Sequence, residues 1–155
     1  MLVFRVETDT DHIKITPSQS SLHALTVCHR ERPYTNVDYA PNKWHSICTT
    51  WDWSSGLLQL WLNGQPLTKK YINGNAIIVL GQEQDSHGGG FDIKQSFQGM
   101  LTDVHMWNYV LSTCEIQSYM KDQFYTPGNV VTWKALDFAI TGNVQIEDKQ
   151  TSCNN

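Results

Sequence analysis

The sequence predicts an all-β protein: an antiparallel two-sheet β-sandwich carrying one short α-helix. Three observations lead there. Apolar residues recur mostly at every second position, Gly and Asn punctuate the chain between short runs, and a single segment has helical spacing behind a capping signal.

Taken in chain order, Thr26-Val27-Cys28 follows a Ser/Gln-rich turn spanning Pro17 to Ser21. Ile47-Cys48-Thr49-Thr50-Trp51 is β-branched and aromatic, a composition that suits a half-buried strand. Leu58-Gln59-Leu60-Trp61-Leu62 sends its leucines to one face and Gln59 and Trp61 to the other, and Asn63-Gly64 closes it as a type I′ hairpin. Ala76 to Leu80 is an apolar run of strand length between Gly74 and Gly81, and Met100 to Trp107 alternates again. Ser112 and Glu115 form a capping box, and Ile116, Tyr119 and Met120 have helical spacing, so one helix is expected up to about Lys121. Gly128 ends the following connection, Val130-Val131-Thr132-Trp133 returns to strand, and the polar tail from Gln145 to Asn155 is expected to be loose except where Cys153 pins it.

The chain has 155 residues, 40% of them hydrophobic, enough for one core and short for two, so a single domain over 1–155 is expected. Its net charge of −4 offers no basic surplus for nucleic acid or an anionic membrane surface. No apolar run approaches the roughly 20 residues that span a bilayer. Arg5 interrupts the N-terminal apolar residues too early for a secretion signal, so none is expected within this numbering. The cysteines, Cys28, Cys48, Cys114 and Cys153, show neither C-x-x-C pairs nor zinc-finger His spacing. An even count without metal spacing fits two disulfides in any of three connectivities, or four thiols in a reducing compartment.

The richest stretch chemically runs from Leu80 to Gln95. It gathers the carboxylates Glu83, Asp85 and Asp92 with carboxamides such as Gln84 and Gln95 around the triple glycine Gly88-Gly89-Gly90. Hard oxygen donors on a backbone that can fold back sharply are what calcium needs, and a lone His87 makes zinc or copper a poor fit. Composition alone fits equally an ordinary polar hairpin with glycines at its tip. Signs of an enzyme are thin: no nucleophile elbow, no phosphate-cradling loop and no H-E-x-x-H, and the six histidines are scattered. Glu83 and Asp85 form an E-x-D pair of the kind some β-sandwich glycosidases use, but Ser86, His87 and Gly88 follow where a further glutamate would be needed.

Leu80-Gly81-Gln82-Glu83-Gln84-Asp85-Ser86, followed by Gly89-Gly90-Phe91-Asp92 and Gln95-Ser96-Phe97, strongly resembles the calcium loop of the pentraxins. The resemblance continues through Gly99, Asp103, Met106-Trp107, Val110-Leu111-Ser112, Pro127, Asn129-Val130 and Trp133-Lys134-Ala135-Leu136, and holds at Val3-Phe4, Thr10-Asp11-His12 and Thr26-Val27-Cys28. It covers most of the chain and is greatest toward the short serum-type members. It implies a lectin-like jelly roll, a secreted non-enzymatic protein of innate immunity, and an acute-phase type of role. It implies phosphocholine- or carbohydrate-type ligands, complement components as partners, and a homopentamer.

The same resemblance implies two neighbouring calcium ions. Glu83, the main-chain oxygen of Gln84 and Asp85 would serve the first; Glu83 and Asp85 would bridge to the second, completed by Asp92 and Gln95. It pairs Cys28 with Cys48 as the family's disulfide joining the two sheets, worth about 3 kcal/mol in the chain-entropy model. Cys114 and Cys153, which the mammalian serum members lack, are expected to pair within the chain and tie down the tail, with a bond between subunits as the alternative. The departures are specific. Only residues 29–47 separate Cys28 from Cys48, far fewer than the family places there. The missing part normally holds several strands, an Asp-Asn pair of the first calcium site and the ligand pocket. Thr35-Asn36-Val37-Asp38 is the one acidic and amide cluster left in that segment, and it is not expected to substitute. Ser46 and Trp53 also depart from the family's short signature around its second cysteine. Loss of central strands should expose sheet edges and apolar faces.

Overall fold

The computed structural model describes residues 1–19, 21–34, 42–71 and 78–148. The chain forms β1 (Leu2–Phe4), β2 (His12–Ile15), β3 (Ala24–Pro33), β4 (His45–Asp52), β5 (Leu57–Leu62), β6 (Gln65–Tyr71), β7 (Val79–Leu80), β8 (Gly99–Trp107), α1 (Thr113–Met120), β9 (Phe138–Thr141) and β10 (Gln145–Ile146). Two antiparallel sheets result: a seven-stranded sheet in the order β10-β1-β8-β3-β4-β5-β6, and a three-stranded sheet in the order β7-β2-β9.

Strand alternation sorts side chains onto the two faces of the large sheet. On β3, β4 and β8, Leu25, Trp51, Leu101, Val104 and Met106 join Ile13 and Ile15 of β2 and Leu80 of β7 in the core between the sheets. On the opposite face Cys28, Cys48, Trp61 and Trp107 pack with Leu111 and with Ile116 and Tyr119 of α1. The helix begins as expected: the Ser112 hydroxyl accepts from the Glu115 N–H, and the Glu115 carboxylate accepts from the Ser112 N–H at 2.8 Å. The β5–β6 hairpin turns on Asn63 (φ 50°) and Gly64 (φ 74°), the doubly positive geometry of a type I′ turn.

The three described strands of the small sheet do not cover all seven of the large one. Trp51 and its register partner Leu58 reach the core between the sheets. Their neighbours on the same face, Ile47, Leu60 and Leu62, are only half-buried and lie outside it. Beyond them β6 is exposed along its whole length. Pro66, Lys69 and Lys70 give that edge the residues that discourage pairing with another strand.

The structure departs from the sequence expectations at several points. Cys28 and Cys48 are disulfide-bonded, but as register partners on the adjacent strands β3 and β4, so the bond lies within the large sheet and does not join the two sheets. The alternation of β8 is interrupted by a bulge: Asp103 adopts φ 55° and the register against β3 shifts between Cys28 and Arg30. Val130 and Val131 form no extended strand; they make an isolated bridge to Met106, and Trp133–Ala135 is a 3₁₀ turn. Gln145 and Ile146 are not loose but pair with Val3 and Leu2 as β10. Of the expected run Ala76–Leu80 only Val79–Leu80 forms a described strand, while Ala76 and Ile77, the segment Thr35–Asp38 and Cys153 lie outside the described residues.

Candidate metal centre

The acidic run leaves the small sheet at the end of β7 and returns to the large sheet at β8. Gly81 makes the exit possible. It adopts φ +95°, and a side chain there would drive its Cβ into the Phe4 ring. The Gly81 carbonyl accepts from the Phe97 N–H at 3.0 Å, which closes the loop at its base, and Phe97 meets Phe4 edge-on.

Within the loop, Ser86 and Gly89 exchange backbone hydrogen bonds at 3.1 and 3.0 Å, and Gly88 (φ 78°) carries the turn between them. The Gln84 carboxamide oxygen accepts from the Gly88 N–H at 2.8 Å. That side chain is committed to holding the turn, which leaves the main-chain oxygen as the donor Gln84 can offer. Asp92 opens the 3₁₀ turn Ile93–Gln95, its Oδ1 accepting from the Lys94 N–H at 2.9 Å and its carbonyl from the Gln95 N–H at 2.9 Å. Glu83, Asp85, Asp92 and Gln95 all lie exposed.

One loop therefore carries every expected donor, and the set is entirely oxygen: three carboxylates, a carboxamide and a carbonyl. By type it fits calcium. The carboxylates are strung along the loop rather than drawn into a knot, and among the described residues no three His, Cys, Asp or Glu side chains are grouped closely enough to hold a metal ion. Cys114 is an exposed thiol at the start of α1; its expected partner lies outside the described residues.

The support beneath the loop has no signature in the sequence. Gln82 is buried, and its Nε2 donates to the carbonyls of Thr8 at 2.7 Å and Asp11 at 3.0 Å. Nothing in the sequence separates Gln82 from its half-buried neighbour Gln84 except its place directly after the turn glycine. Concavities exist elsewhere. One of about 740 Å³, lined by Ser118, Asp122, Gln123, Phe124 and Tyr125, lies at the end of α1, on the face of the large sheet turned away from the small one.

Comparison with known proteins supplies the context. A sequence model of the Pentaxin family matches residues 32–148. Jeltraxin of Lepidobatrachus laevis is 30% identical over 193 aligned positions, covering 94% of this chain and 86% of that protein. Serum amyloid P-component of Sus scrofa is 33% identical, covering 96% and 87%. C-reactive protein of Rattus norvegicus is 47% identical over 65% of this chain and 46% of that protein, so this match spans about half of the relative's length. An alignment of 193 positions is longer than the chain of 155 residues, so jeltraxin carries segments with no counterpart here. Among solved structures, the native heptameric SAP-like pentraxin from Limulus polyphemus superposes with a TM-score of 0.76 at 20% identity, over 93% of this chain and 92% of that one. That likeness is one of fold.

Proposed function

The chain belongs to the pentraxin family, and on that footing we propose that it is a secreted, calcium-dependent recognition protein of innate immunity. Its ligands are phosphorylated or carbohydrate groups, and it acts as a ring-shaped oligomer, a pentamer by family resemblance. The observation that carries this reading is the loop itself. It retains an all-oxygen donor set, exposed to solvent, on a turn whose shape depends on Gly81 and Gly88. Glu83, the carbonyl of Gln84, Asp85, Asp92 and Gln95 are the residues that hold calcium. The bound ion supplies positive charge to which a ligand's anionic or hydroxyl oxygens attach, while the protein supplies orientation. Weak single sites gain from repetition around a ring, because the second contact is made at high effective concentration.

A second reading has its own support. The small sheet has three strands, and relatives carry segments that this chain lacks. On that reading the protein is a shortened variant in which the loop binds calcium weakly and the ligand pocket is gone. Calcium titration by calorimetry separates the two. Two coupled binding events, both weakened in Glu83→Gln, support the first reading; one weak event supports the second. An affinity unchanged in Glu83→Gln overturns the assignment of the loop.

A further inference from the structure

The turn formed by Thr8 to His12 runs beneath the acidic loop and is tied to it at three places. At the loop's entry, the Gln82 carboxamide gives both of its protons to main-chain carbonyls, of Thr8 at 2.7 Å and Asp11 at 3.0 Å. Its Oε1 is buried and has no hydrogen-bond partner among the described residues, so the donors alone orient the group. In the middle, the His12 ring lies 5.0 Å from that of Phe91. At the exit, the Thr8 N–H donates to the Ser96 hydroxyl at 3.3 Å, and that hydroxyl donates to the Ile93 carbonyl at 2.8 Å, inside the turn that Asp92 caps.

The turn is anchored on its other side as well. Asp11 is buried, and its Oδ1 accepts from the Asn143 N–H at 3.1 Å. Gly142 is required there, since a Cβ would fall against that same oxygen. The strap is thus fixed to the body of the protein at Asp11 and to the loop at Gln82, Phe91 and Ser96.

Gln82 directly precedes Glu83, and Ser96 directly follows Gln95. The two hydrogen-bonded ties therefore bracket the whole donor set, although neither Gln82 nor Ser96 belongs to it. We propose that Gln82 is a positioning residue for the metal centre, and that the Thr8–His12 strap and the acidic loop order together, so that calcium capture is coupled to a segment containing none of its ligands. This inference rests on the loop being the calcium site. Groups that orient a metal's ligands from behind commonly change affinity by about 10- to 100-fold when removed. A loop whose carboxylates stand apart needs such support most, because they must be brought together against their mutual repulsion.

Amide hydrogen exchange with and without calcium tests the coupling on the unaltered protein. Calcium is expected to slow exchange across 83–95 and also across 8–12. In Gln82→Leu the calcium dissociation constant should rise about ten-fold or more. At saturating calcium this variant should regain protection across 83–95 without regaining it across 8–12. Ser96→Ala should weaken calcium binding in the same direction. Protection confined to 83–95 in the unaltered protein, or a wild-type calcium affinity in Gln82→Leu, overturns the proposal. If 83–95 gains no protection at all, the calcium reading of the loop fails first and the coupling falls with it.

Discussion

Arg30 holds Tyr119 in two ways: its Nη2 donates to the Tyr119 carbonyl at 2.7 Å, and its guanidinium carbon lies 5.4 Å from the centre of the Tyr119 ring. The Tyr119 hydroxyl in turn donates to the carbonyl of Asp103 at 2.7 Å, at the residue that bulges β8. The bulge, the arginine and the helix thus interlock. A helix of eight residues is too short to persist alone, so its stability comes from this docking and from burial of Ile116 and Tyr119.

Replacing Arg30 with Met keeps much of the side chain's volume and removes the charge-assisted bond to the carbonyl, so stability should fall by about 2–3 kcal/mol. Arg30 also reaches Asp122 at 3.2 Å, but that carboxylate is 61% exposed. Asp122→Asn should therefore cost well under about 1 kcal/mol. Urea denaturation of both variants checks this. Equal losses would mean that the surface ion pair, not the helix carbonyl, is the important contact. Arg30→Lys should not restore the lost stability, because a compact ammonium cannot reproduce a guanidinium that bonds the carbonyl while lying over the tyrosine ring.

His105 sits in the same cluster, and its imidazole pKa is pushed below the ordinary 6.5, first by burial, with Asp103 opposing and Arg30 adding to the effect. Its Nδ1 accepts from the Gly128 N–H at 3.2 Å, so the ring must be neutral there, and protonation at that nitrogen would break the bond. A lowered folded-state pKa means that the unfolded chain takes up the proton first as pH falls. The His105 contribution is therefore complete above pH 6.5, diminishes as pH drops through 6.5 toward the folded-state value, and is constant below it. Melting curves in a chelator between pH 8 and 5 should show this acid-side loss. His105→Asn, which keeps an acceptor for Gly128, should lessen the slope. Parallel curves for the two proteins would refute it.

Much of this architecture was legible because local chemistry and tertiary contacts agree. The capping box at Ser112 and Glu115 and the Asn63-Gly64 turn are each determined by a few neighbouring residues, and both form as read. The failures have a different origin. The β8 bulge was visible only as an apolar spacing of three between Leu101 and Val104, where strict alternation gives two. Val130 and Val131 have strand composition but find only isolated backbone partners in Met106 and Ser18 rather than a neighbouring strand, and partner availability is not encoded in composition. At the metal centre the donors could be named from the run itself. The strap beneath it, from Thr8 to His12, is distant in sequence and meets the loop through main-chain carbonyls, which every residue possesses.

The disulfide shows the same division between pairing and placement. That Cys28 and Cys48 join was legible, but which sheets they join depended on strand order. With only residues 29–47 between them, β3 and β4 become neighbours in one sheet. Among the described residues the two sheets are then held together by the apolar core without a covalent tie.

That arrangement gives the half-covered face of the large sheet a measurable consequence. Leu60 projects on the same side as Trp51 and Leu58, yet stays half-buried and outside the core that those two reach. Leu60→Thr should cost about 1–2 kcal/mol, since only part of the side chain's apolar area is withdrawn from water at this site. Leu25→Ala, at 6% exposure in the packed core, should cost about 2–5 kcal/mol. The apolar area that these residues leave in water also promotes self-association as concentration rises. Sedimentation velocity across a dilution series should accordingly show less concentration-dependent association for Leu60→Thr than for the unaltered chain. If Leu60→Thr destabilises the protein as severely as Leu25→Ala, the face must be covered in solution, and the three-stranded sheet is not all that packs against it.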